Sequence, residues 1–243
     1  MSHPVTIIYY LSVKRAALAV VIVGLMLACT PNIPPPEPLK YSQAPADFPI
    51  SYYPQAKASG SKVLHINSKL SLVTIDVRRG GALARLGHDH IVASHDVIGY
   101  VDVTAGRADL YVVLDRLTVD EPSLRAEAGL TTQLSEEAIA GTKRNMLDKV
   151  LESSNFPFAL IRVIRNPTDH SSLTVTITLH GTMKAFEIPA QIETNAAGLK
   201  INGEMTFNQS DFGITPFSIL GGALQVEDRL NLRFQIVAVN NSY

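Results

Sequence analysis

The sequence predicts an all-β fold, an antiparallel β-barrel of about eight strands with one helix inserted around residues 135-151. Three observations carry this prediction. Leu173, Val175, Ile177 and Leu179 alternate with Thr174, Thr176, Thr178 and His180, which makes one face of an extended chain dry and the other polar. The same dry face returns at Phe186, Ile188, Ala190 and Ile192, and again at Leu230, Leu232, Phe234, Ile236 and Ala238. Apolar residues at helical spacing, by contrast, stand out in one stretch. Strands that follow one another through short turns suit a sandwich or a barrel, and a barrel removes the open edges that invite aggregation.

In chain order, the folded part is expected to span residues 63-240. Leu64-His65-Ile66 and Leu72-Val73-Thr74-Ile75-Asp76-Val77 read as a strand or strand pair, broken at Arg79-Gly80-Gly81. Strand character resumes over residues 91–103, where Tyr100, Asp102 and Thr104 alternate with Val101 and Val103. Leu110-Tyr111-Val112-Val113-Leu114 is apolar throughout, as for a strand partly covered on both faces. The polar stretch 120–129 reads as a solvated connection, with a binding loop as the alternative. Ser135 then offers an N-cap and Glu136 and Glu137 suit the helix dipole; Ala138, Ile139, Met146, Leu147, Val150 and Leu151 follow near helical spacing. Residues 153–157 end the helix, because the residue before Pro157 avoids helical angles. Beyond it, Gly181-Thr182-Met183-Lys184 is a short turn within a hairpin, and residues 199–207 form a strand kinked at Gly203. His180 falls on the polar phase and is expected at the surface, whereas Met183 and Phe217, near predicted turns, are expected at the barrel rim.

The first 62 residues have a different character. Lys14 and Arg15 precede the uninterrupted apolar run 16–28, the order of a secretion signal, and a run of that length is short for a membrane span. Leu25-Met26-Leu27-Ala28-Cys29 resembles a bacterial lipoprotein signal. The resemblance implies that residues 1-28 are removed and that Cys29 becomes an acylated first residue holding the chain to a membrane; Thr30 after the cysteine implies the outer membrane, with the protein on its periplasmic face. Residues 29-62 then form a Pro-rich tether and linker. Cys29 is the only cysteine, so the chain has no internal disulfide. A net charge of −1 offers no large field to attract nucleic acid or anionic lipid.

The segment Arg85-Leu86-Gly87-His88-Asp89-His90, followed by His95-Asp96, concentrates the candidate polar chemistry. In an extended chain His88 and His90 share a face, where they would meet the polar end of a ligand. They would also ligate a metal if His95 with Asp89 or Asp96 completed a set. His95 has the opposite strand parity, which opposes that set.

Three further stretches carry a family resemblance. Phe156-Pro157-Phe158 leading into Leu160-Ile161-Arg162-Val163, the hairpin from Leu179 to Phe186, and Gln209-Ser210-Asp211-Phe212-Gly213-Ile214 are similar to signatures of the YceI-like family, in the right order and spacing. The resemblance spans roughly residues 62–240. It implies a lipocalin-like antiparallel β-barrel whose apolar interior holds a polyprenoid or similar amphiphilic lipid without catalysis, and no cofactor beyond that lipid. The inward stripes Leu173, Val175, Ile177, Leu179, Phe186, Ile188, Leu232, Phe234 and Ile236 would take the tail, and His88, His90 and Arg85 the polar end. The alternative reading is a metal-binding protein or metal-dependent enzyme built on His88 and His90.

Overall fold

The alternating stripes close into a ring of eight antiparallel strands in a computed structural model that describes residues 44–166, 168 and 172–240. Strand β1 comprises Val63–Ile66 and Leu72–Val77, separated by a tight turn at Ser68–Leu70. Strand β2 comprises His90–Ser94 and Val97–Asp102. Each behaves as one bent strand. Both parts of β1 pair with the last strand, and the two parts of β2 pair with the two parts of β1, from Val77 opposite His90 to Val63 opposite Asp102. The ring continues through β3 (Arg107–Val113), β4 (Phe158–Arg165), β5 (Ser172–Leu179), β6 (Thr182–Thr194), β7 (Gly198–Asn208) and β8 (Arg229–Val239). Every strand is hydrogen-bonded to its neighbours in sequence, and β8 closes on β1. No edge of the ring is left to recruit another chain.

Local chemistry sets the register. The β5–β6 connection is the two-residue turn His180-Gly181, both residues at positive φ (50° and 73°), so it starts one residue before the expected turn. His180 is consequently half-buried rather than on the surface. Its ring lies 4.3 Å from that of Phe156, and its Nε2 is 3.4 Å from Glu152 Oε1. Gly203 lies opposite Phe234, whose ring occupies the space where a Cβ would stand.

The expected helix is α3, Glu136–Asn145, and it continues through a wider turn, Met146–Val150, in which Leu151 N–H donates to Met146 O. Ser135 Oγ accepts from Ala138 N–H, as its N-cap role requires. Ile139, Met146 and Leu151 pack onto the core, so the helix covers the barrel mouth beside Val77.

Two stretches differ from expectation. The linker expected up to residue 62 ends earlier, because Phe48 and α1 (Tyr52–Ala58) pack on the outside of the wall. Aromatic attraction explains this: Phe48 meets Tyr111 edge-on at 4.9 Å and Tyr53 stacks on Tyr100 at 4.9 Å. The stretch 120–129, expected as solvated, contains the short helix α2 (Pro122–Glu127), which buries Leu124 and Arg125 and packs Leu124 with Ile91 and Ala93. The signal, Cys29 and the Pro-rich part of the tether lie outside the described residues.

Candidate functional site

The inward phases of the eight strands surround a cavity of about 370 Å³. Val73, Ile75 and Val77 of β1 line it, as do Leu110 and Val112 of β3 and Ile161 and Val163 of β4. Of the residues expected to form the apolar wall, Leu173, Val175, Ile177, Leu179, Ile188, Leu232, Phe234 and Ile236 are all at its surface. Phe186 is not. It points inward but packs against Phe212, at 6.2 Å between ring centres, and Phe212 with Phe207 fills the space between that side chain and the cavity. The helical lid adds Thr142, Asn145, Met146, Val150 and Leu151 to the mouth. A cavity this size has ligand-pocket dimensions, and its few polar wall groups, among them His90, Ser94 and Gln209, are what would orient an occupant.

The histidine segment is divided by the strand that begins at His90. His90 faces the cavity, whereas His88 lies exposed in the loop before the strand and does not line it. Two residues of extended chain are needed to align the pair, and the backbone becomes a strand only at His90. Arg85 is likewise exposed on that loop. Asp89 binds Arg78 and Arg79, Asp96 binds Arg116, and the exposed His95 places Nε2 2.9 Å from Glu121 Oε1. Different partners thus separate the residues a metal set would need. Among the described residues, no group of three or more His, Cys, Asp or Glu side chains is placed to hold a metal ion.

His90 is backed by a buried network. Its Nδ1 lies 2.6 Å from Oδ2 of the fully buried Asp120, whose Oδ1 accepts from Arg125 at 2.6 Å and from Ile91 N–H at 3.1 Å. Arg125 also donates to the carbonyls of Asp89 and Thr132. Burial alone would raise the Asp120 carboxyl, but the hydrogen bonds from His90 and Arg125 outweigh it and hold the group below its ordinary value. A carboxylate only accepts, so Nδ1 carries the proton and the unprotonated Nε2 is left to accept from a hydroxyl. Asp120 holds φ at 56°, a conformation Asp tolerates better than most residues. Sequence reading placed Asp120 and Arg125 in a connection and did not join them to His90. A signal was present in Glu121-Pro122, where proline at the first helical position marks a helix start.

Known proteins place this architecture. A family profile described as the YceI-like domain matches residues 68–238. Among solved structures, a polyisoprenoid binding domain from Saccharophagus degradans, implicated in plant cell wall breakdown, is 12% identical; the match covers 72% of this chain and 97% of that one, with a TM-score of 0.51. Burkholderia cenocepacia BcnA is 14% identical, with 72% and 99% covered and a TM-score of 0.50. No curated protein matches the chain. The two structures share its fold, and the profile extends from the first bend of β1 to the closing strand β8: the chain belongs to the YceI-like family.

Proposed function

We propose that the barrel binds an isoprenoid or similar amphiphilic lipid, with the tail in the cavity and the polar end at His90, and does no chemistry on it. The observation that carries this reading is the wall itself: about 370 Å³ of interior surrounded almost wholly by aliphatic and aromatic side chains, with one imidazole backed by a buried carboxylate. Each buried methylene of a tail contributes about 0.8 kcal/mol, so a long chain needs few directed contacts. The description of the Saccharophagus degradans domain as polyisoprenoid binding supports the same ligand class. We further propose that the chain is an envelope lipoprotein held to the outer membrane by acylated Cys29, which Lys14, Arg15 and the apolar run before the cysteine support.

The test is organic extraction and mass spectrometry of the purified protein. One lipid of defined mass is expected from the wild type. It is expected to be lost in Ile177→Glu, which places a charge in the wall, and in Ala159→Trp, which fills the cavity with apolar bulk. His90→Phe is expected to keep apolar tails but lose selection for the head group. A wild-type chain that yields no lipid, with cavity-filled and unfilled forms equally stable to added polyprenol, would overturn the reading. Incorporation of labelled palmitate, abolished by Cys29→Ser, tests the anchor.

A further inference from the structure

Beside the covered mouth stands a small lobe with no role in closing the barrel. Three short strands, Arg79–Gly80, Ser218–Ile219 and Leu224–Val226, pair with one another. The loop between Gly80 and Gly87 is tied to this sheet, Leu83 N–H donating to Ala223 O. The inner side of the lobe belongs to the cavity, through Phe217 and Val226. Its outer tip is apolar and exposed: Leu220 is 69% accessible, Leu86 63% and Ile219 45%. Other exposed large apolar residues, such as Ile164 and Ile192, lie on separate strands and need no explanation.

Two further features single out the tip. Leu220 has φ of 53°, followed by Gly221 and Gly222 at 65° and 90°, so a branched side chain is held outward by backbone in a region leucine rarely enters. The segments 79–87 and 215–226 carry Arg79 and Arg85 and no carboxylate, in a chain whose acidic residues outnumber its basic ones. The nearest acids, Asp89, Glu227 and Asp228, stand at the base, where Asp89 pairs with Arg79 and Asp228 is bonded to Ser210, so the charge of the tip itself is Arg85. Apolar side chains on a cationic tip suit a surface that is apolar beneath an anionic layer.

We propose that this lobe docks the barrel mouth on an anionic bilayer, with Leu86, Ile219 and Leu220 entering the acyl boundary and Arg85 at the phosphates. The reason for a mouth to meet a bilayer rests on the lipid-carrier reading: tail transfer then runs along Phe217 and Val226 without crossing water.

The full chain with Cys29→Ser has no native thiol, so one cysteine can be introduced and labelled with a polarity-sensitive fluorophore. Leu220→Cys and Leu86→Cys report the tip, and Ile192→Cys, on the long β6–β7 hairpin, reports the distant end. With vesicles of phosphatidylethanolamine and phosphatidylglycerol, labels at 220 and 86 are expected to shift blue and to be quenched by nitroxide-bearing lipid, while the label at 192 does neither. Leu86→Ser is expected to reduce the shift at 220. Tip labels that remain in water, whether or not the rest of the chain is bound, overturn docking. So does a shift that needs no vesicles and grows with protein concentration, which identifies a second copy of the chain as the occupant. Lipid extracted from the same samples separates the two readings. Retained lipid with the tip in water sinks docking alone, whereas an empty cavity with the tip in the bilayer supports docking and sinks the carrier.

Discussion

Two aspartates in the barrel wall are satisfied by similar groups and serve different ends. Asp109, on the outward phase of β3, accepts from Tyr53 Oη at 2.7 Å, Arg107 Nε at 2.7 Å and Arg162 Nε at 2.8 Å. Asp120, beyond the end of β3, accepts from His90, Arg125 and a backbone N–H. In both, burial would raise the carboxyl and hydrogen bonds to the charged form more than offset it. The difference lies in what stands behind the partners. Around Asp109 everything faces outward and every partner's polarity is fixed: the arginines stay charged, and burial followed by the bond to Asp109 keeps the Tyr53 hydroxyl protonated. That cluster fastens α1 to the wall. Around Asp120 one partner is a buried guanidinium and the other is an imidazole that lines the cavity. A closed network holds structure, whereas an open one passes its polarity to an occupant.

The largest expected effect is on the open network. Asp120→Asn leaves the Arg125 charge buried without its counter-ion, and removal of one partner of such a pair costs about 3–5 kcal/mol, measurable by urea denaturation. Asp109→Asn is expected to cost less, about 2 kcal/mol, because the side chain of Arg162 is 52% accessible and returns to water. Its signature is local. Protease cleavage near Ser59 and Gly60 should accelerate while the barrel stays folded. Equal losses in the two variants would erase the distinction between the networks. Acid provides a third handle. Both carboxyls have depressed values in the folded state, so their contribution is complete above the ordinary value of 3.8 and is lost as pH falls through the lower folded values. The acid limb of a stability profile should therefore be steep in the wild type and shallower in each Asn variant.

The closed barrel and its dry stripes were legible because side chains on a strand alternate with period two, and nothing along β5, β6 or β8 interrupts that count. Ser135 announced the helix for an equally local reason. What sequence could not supply was partnership across the chain. Tyr53 resembles any linker tyrosine until Asp109, fifty-six residues on, is seen to accept its hydrogen bond. Arg125 reads as a solvated charge until Asp120 turns inward at positive φ. His88 and His90 match by spacing, but the strand begins between them, and strand boundaries are the least certain part of a periodicity argument. Leu220 sits where a pattern favours glycine, and only the backbone angles reveal it.

The smallest effect sharpens the comparison from the closed side. Tyr53→Phe removes one donor from Asp109 and leaves both arginines in place, together with the ring contacts to Tyr100 and Tyr52 at 4.9 and 5.0 Å. The lost hydrogen bond is worth about 1 kcal/mol, since Asp109 remains doubly satisfied. If the hydroxyl and the carboxylate act as one latch, Tyr53→Phe and Asp109→Asn together should destabilise the chain by less than the sum of their separate effects. If the two losses simply add, the hydroxyl and the carboxylate do not act as one latch, and α1 is held chiefly by aromatic packing and by the Tyr52 hydroxyl on Asp102.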